Sequence, residues 1–274
     1  MGTKRGVSPV NRMFAWVRKR SMMVKIAMGI TVSFLGLLVL RFTITNQDHF
    51  FVASESVHFV GILILIHKLI KQKTCSGLSL KTQELTAIFL AVRLMCSALL
   101  EADIHTVLDF STLVSTVWVI YMIRFKLKTS YMADMDDLPH YYLLVPAAVL
   151  AFLVHPDVEY PLVARIFWAF CVYMESVAVL PQLRMMQKAK IIEPFTGHYV
   201  FALGISRFFG FAHWIFQVYE TRGGYLFLIG AGYIWLPMVL LAEIVQTFIL
   251  ADFCYYYIKS VMSGHLLVSL PLPV

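Results

Sequence analysis

The stretch 192–207, "IEPFTGHYVFALGISR", carries Thr196 and, eleven residues later, Arg207 in an otherwise apolar run. An earlier stretch, 78–93, "LSLKTQELTAIFLAVR", carries Thr82 and Arg93 at the same separation, and each stretch follows a basic loop. Matched arginines in two apolar runs point to a parallel internal repeat inside a membrane, the kind found in small transporters with a site near the midplane between the halves. The repeat predicts two three-helix units joined by a linker helix, with a further helix before them.

The rest of the chain fits that frame. Of its 274 residues 59% are hydrophobic and only 14% charged, with a mean hydropathy of +0.75, which is far from the composition of a soluble domain. Apolar runs long enough to cross a hydrocarbon core of about 30 Å by helix are expected near 24–42, 51–70, 83–100, 104–123, 140–155, 162–182, 198–218 and 225–258. Pro237 is a candidate break in the last. The fold class is therefore an all-α polytopic membrane protein: a seven-helix bundle in a 3+1+3 parallel repeat, plus one N-terminal helix. The expected divisions are a basic N-terminus (1–23), the extra helix (24–45), the seven-helix domain (46–259) and a tail (260–274).

Charge fixes an expected orientation. Eighteen of the 23 lysines and arginines fall in the N-terminus, in the loops around Lys68–Lys81, Arg124–Lys128 and Arg184–Lys190, and at Lys259. The alternate loops hold Asp48, Glu55, Glu101, Asp103, Asp157 and Glu159 and almost no lysine. By the positive-inside rule both termini face the cytosol. The net charge of +7 is thereby explained without a nucleic-acid partner. Cys75, Cys96, Cys171 and Cys254 have no metal-ligand spacing, so neither a metal nor another cofactor is expected. No HExxH, GxSxG or phosphate-loop motif is present, and the chain does not read as an enzyme.

His58, Arg93, Glu175, Arg207 and Glu243 lie well inside apolar spans, with Asp252 nearer the end of the last. Ionisable groups there are costly and mark either a bundle interior or a ligand site. Two readings stand: Glu175 pairs with Arg207 or Arg93 as interhelical glue, or an arginine holds a ligand carboxylate with its planar fork. Arg165, Trp168, Val172 and Glu175 recur on one helix stripe, and Trp214 follows Arg207 by seven residues. These tryptophans suit either a polar funnel or interfacial anchoring. His58 is a candidate proton sensor, since imidazole titrates near neutrality. Pro181 and Gln182 mark either a helix end or a hinge.

The blocks "CSGLSLKTQ" (75–83), "TVWVIY" (116–121), "VPAAVLAFLVH" (145–155), "FCVYMESVAVLPQL" (170–183), "TGHYVFALGISR" (196–207) and "VQTFILADFCYYYI" (245–258) resemble the ER lumen protein-retaining receptors, the KDEL or HDEL receptor family. The likeness runs from about Ser54 to Lys259 and is that of a divergent, N-terminally extended branch of the sort found in plants. It implies capture of the C-terminal tetrapeptide of escaped ER proteins in the acidic Golgi lumen, retrograde carriage by coated vesicles, and release at neutral pH. It assigns ligand-binding positions to His58, Arg93, Trp168, Glu175, Arg207, Trp214 and Asp252, with Arg93 on the peptide carboxylate and His58 as the sensor beside Glu175. The chain departs from the family pattern at Cys96, Arg165, Ser206 and Gln217. Arg165 reverses the charge that would meet the signal's basic first residue, at an expected cost of about 1 kcal/mol or more in affinity, so an altered or lost tetrapeptide preference is expected. The tail also lacks the lysines that typically engage the coat. The rival expectation is a transporter of a small anionic or zwitterionic solute related to the PQ-loop proteins.

Overall fold

The computed structural model describes residues 48–100, 104–189, 191–220, 234–263 and 268–269. The expected N-terminal basic segment and helix (1–45), and most of the tail, lie outside the described residues. The helices are α1 (Asp48–Gln72), α2 (Leu80–Leu100), α3 (Ile104–Tyr121), α4 (Tyr141–Leu153), α5 (Leu162–Val177), α6 (Leu180–Ala189), α7 (Pro194–Glu220) and α8 (Trp235–Ser263). A π-helical turn, Met122–Lys126, extends α3. By length and composition, His49–Gln72, Ile104–Lys126, Leu162–Ala189, Pro194–Tyr219 and Trp235–Met262 can each cross a membrane. The chain is thus an all-α polytopic membrane protein. Helices satisfy every internal backbone group within the segment, which lipid demands.

The parallel repeat is visible in the packing. Within the first half α1 and α2 both pack on α3; within the second, α5 and α7 both pack on α8. Across the halves α1 meets α7 and α2 meets α5. Exchanging each helix of one unit for its counterpart in the other maps this set of contacts onto itself, while α4 leans on α5 as the linker. The α1 interface is a stripe at alternating spacings of three and four, Glu55, His58, Ile62, Leu65 and Leu69, all buried. Closeness of α7 to α8 depends on Gly204, where an added Cβ would collide with Cys254 Sγ.

Two prolines stand near helix starts. The run 162–182 is not a single helix: α5 stops at Val177, Ala178 and Val179 form a turn, and α6 restarts at Leu180. Pro181 stands in the first turn of α6, four residues after the last residue of α5, so it marks the boundary between the two helices. Pro237 likewise sits in the first turn of α8 and leaves that helix unbroken.

The end of the bundle that carries the basic loops is closed by polar ties. The amide of Gln182 donates from Nε2 to Gly77 O (2.8 Å) and accepts from Ser79 N (2.8 Å), and its own backbone N–H donates to Thr82 Oγ1 (2.9 Å). Gly77 has a φ of +77°, which suits glycine at this turn. Lys68 is fully buried, donates to Ser76 O (2.6 Å) and Thr196 Oγ1 (2.9 Å), and pairs with Glu193. Asp136 accepts from Ser79 Oγ (2.8 Å) and Tyr131 Oη (2.6 Å). Burial first, and then that carboxylate, push the Tyr131 phenol well up, so it stays a donor. Thr82 and Thr196, the matched threonines of the repeat, hold equivalent ends of the two units.

Candidate functional site

At the opposite end a cavity of about 360 Å³ opens between α1, α2, α3, α5 and the start of α8, within the usual size of ligand sites. Its walls are Phe51, Trp168, Trp235 and Tyr160; its polar groups are Glu55, Arg93, Ser97, His105, Asp109 and Arg165. Beneath it a small void of about 20 Å³ is bordered by His58, Glu175, Arg207 and Gln246.

Arg93 joins the two levels. Its Nε and Nη2 donate to Asp109 Oδ2 and Oδ1 at 2.8 and 2.5 Å, a side-on bidentate pair, and its Nη1 donates to Glu175 Oε2 at 3.1 Å. Glu55 Oε1 lies 3.8 Å from Nη2, beyond hydrogen-bond reach. Arg93 Cζ also stands 5.7 Å from the Phe89 ring centroid. Glu175 completes a symmetric clamp, because its other oxygen accepts from Arg207 Nη1. The matched arginines of the two repeats therefore meet on one carboxylate. His58, 3% exposed, sits on α1 beside this group, with Glu175, Arg207 and Arg93 as the charges acting on it. Glu243 on α8, buried, accepts from Gln246 Nε2 at 2.5 Å and lies within electrostatic reach of Glu175 and Arg207.

The structure distributes the sequence-named residues unevenly. Arg93 and Trp168 line the cavity; His58, Glu175 and Arg207 lie one layer deeper. Trp214 is partly buried on α7 and lines neither space; it contacts His213 edge-on, and His213 in turn tilts against Phe51 at 5.5 Å. Asp252 is exposed and borders neither space: α8 buries Gln246, Leu250, Phe253 and Tyr257, and Asp252 is off that stripe. Asp252 therefore lies apart from the other residues named from sequence.

Of the departures, Arg165 lines the cavity but is answered within the protein: Nε donates to Pro156 O (2.5 Å) and Nη2 pairs with Asp157 (2.7 Å). Ser206 is spent on packing α1 against α7, where Ser54 Oγ donates to its carbonyl (2.8 Å). Cys96 is buried on α2, one residue before Ser97, and Gln217 is partly buried near the end of α7.

Three cavity groups were missed from sequence: Glu55 was read as a loop acid, and Asp109 and His105 were not singled out. Glu55 Oε2 and His105 Nδ1 are 2.8 Å apart. A lone aspartate inside a predicted span was the available signal for Asp109. Among the described residues no group of three or more His, Cys, Asp and Glu side chains is arranged to hold a metal.

A repeat-built helical membrane bundle, closed at one end and holding a polar-floored, aromatic-walled cavity at the other, defines the class. The sequence profile of the ER lumen protein retaining receptor family matches residues 74–217. The chain is 32% identical to ER lumen protein-retaining receptor erd-2.2 of Caenorhabditis elegans over 81% of its own length and 99% of the relative's. It is 34% identical to ER lumen protein-retaining receptor 3 of Xenopus laevis, over 82% and 99%, and 32% identical to the ER lumen protein-retaining receptor of Petunia hybrida, over 77% and 94%. The chain belongs to the ER lumen protein retaining receptor family.

Proposed function

We propose that the protein captures the C-terminal tails of lumenal ER residents in the cavity beside Trp168, with the terminal carboxylate on Arg93, and returns them from the early Golgi. The observation that carries the reading is the placement of Arg93, whose guanidinium forms the floor of the cavity while its inner edge shares Glu175 with Arg207. A guanidinium offers a carboxylate two parallel donors, which an amide terminus cannot use equally. The closed, hydrogen-bonded opposite end supports a receptor, since a transported solute needs a path to both sides.

The same geometry supports acid-promoted binding. A proton on His58 adds positive charge beside Glu175, while Arg207 and Arg93 face it and Glu243 stands beyond Arg207. Glu175 then gains a third cationic neighbour, so the share of its charge that holds Arg93 inward falls and the guanidinium is released toward the cavity. Loss of that proton near neutral pH reverses the exchange. In this reading the cavity faces the lumen, both termini and the basic loops face the cytosol, and those loops, in place of tail lysines, meet the vesicle coat.

The test is binding of an HDEL-ended peptide and its C-terminally amidated twin to purified protein at about pH 5.5 and about pH 7.2, the range in which histidine titrates. Binding of the free carboxylate at the lower pH alone is expected. Equal binding of the two peptides, or none at either pH, would overturn the reading.

A further inference from the structure

Arg93 has five N–H donors and two edges able to receive a carboxylate side by side: Nε with Nη2, and Nη1 with Nη2. Asp109 occupies both donors of the first edge. Glu175 takes one donor of the second. An incoming carboxylate therefore finds the first edge filled and the second already in contact with Glu175 through Nη1. Of the two occupants Asp109 lines the cavity, whereas Glu175 borders the inner void.

From this we infer that Asp109 is a specificity-determining residue: its carboxylate is an internal ligand seated on Arg93 where a bound tail's own carboxylate would sit, and a tail must displace it to bind. The 2% exposure of Asp109 shows that the competing group is already desolvated and paired, and held on α3 it acts at a high effective concentration that a free ligand must match. Glu55 adds to the selection. Its Oε1 is buried without a hydrogen-bond partner and faces the same guanidinium from 3.8 Å. Three carboxylates, those of Glu55, Asp109 and Glu175, surround Arg93, so a fourth is repelled unless one of them yields. The consequence is a receptor tuned toward weak carboxylate capture, answering only tails whose remaining side chains fit the Trp168, Trp235 and Tyr160 walls well enough to drive the exchange.

The identity of the tail rests on the retrieval reading above, but the role of Asp109 does not, and the experiment separates them. Wild type, Asp109→Asn and Asp109→Ser are compared for binding of the HDEL-ended peptide and its amidated twin, and for thermal protection by propionate against chloride. Asparagine keeps the shape without the charge; serine is a smaller fallback that still accepts one bond from Arg93. The expected result is at least tenfold tighter binding of the free-carboxylate peptide to either variant, no change for the amide, and protection by propionate in the variants but not in wild type. Propionate protection without peptide binding would uphold the role of Asp109 and overturn the retrieval reading. Folded variants that match wild type toward both carboxylates would overturn the inference. If both variants fail to fold, Glu55→Gln, which leaves the Asp109 pair intact, decides: a gain as large as tenfold there would overturn the assignment to Asp109, and a smaller gain would uphold it.

Discussion

At the scale of single residues, Glu175 is the group on which the two halves converge. Breaking a buried ion pair by removing one partner typically costs about 3–5 kcal/mol. Glu175→Gln leaves Arg93 and Arg207 facing one another without the intervening charge, so its melting temperature in detergent is expected to fall steeply, whereas Asp157→Asn, in a half-exposed pair with Arg165, is expected to cost under about 1 kcal/mol. Equal melting of the two variants would remove the clamp from the account. Arg165 itself is already partnered within the protein. Because Asp157 and the Pro156 carbonyl already hold it, Arg165→Ala is expected to change affinity for a tail with a basic first residue by less than about tenfold, read by direct titration.

The clamp was legible in sequence because a matched Thr and Arg spacing recurs, and because charge inside an apolar run has few explanations. Asp109 and His105 escaped because the matched stretches 78–93 and 192–207 cover only one helix of each unit, and neither residue lies in them. Glu55 escaped because it lies within a turn of the expected start of its span, where an acid reads as loop. The exposure of Asp252 was not legible for a different reason: a motif fixes which residue occurs, but only the rotation of α8 fixes which way it faces.

At the scale of elements, the break between α5 and α6 is tied to the loop before α2 and to the first turn of α2 by Gln182. Pro181→Ala is expected to leave thermal stability within about 0.5 kcal/mol, since Pro181 stands in the first turn of α6. Gln182→Ala strands the Gly77 carbonyl and the Ser79 amide in a buried site, at about 1–3 kcal/mol, and the contrast between the two variants in one melting series checks the assignment. In the exposed loop before α4, a hydrogen bond from Lys188 holds the Asp137 carboxyl below its ordinary range. A lowered folded value means that this tie is intact above the ordinary carboxylate pKa and is lost only as pH falls through the depressed value. Mildly acidic conditions therefore leave it in place. Proteolysis of the loop is expected to be unchanged between about pH 7 and about pH 5.5, the window in which a free imidazole titrates; faster cleavage at the lower pH would show that the acid response is not confined to the buried site.

At the scale of the whole molecule, one end of a symmetric bundle is closed by side-chain ties to loop backbone, and the other is left open over a shared charge cluster. The repeat places two arginines at equivalent depths, so a single carboxylate can couple the halves, and under the proposed mechanism a proton on His58 would act on both through it. The central claim is that a tail's carboxylate reaches Arg93 through the cavity. It is tested most directly by photo-cross-linking an HDEL-ended peptide, labelled two residues from its C-terminus, to the full-length protein at about pH 5.5 and mapping the adducts by mass spectrometry. Adducts on Phe51, Trp168 or the Ser97–Asp109 segment, lost with the amidated peptide, are predicted. Adducts at the basic-loop end, or a pattern indifferent to amidation, would contradict it.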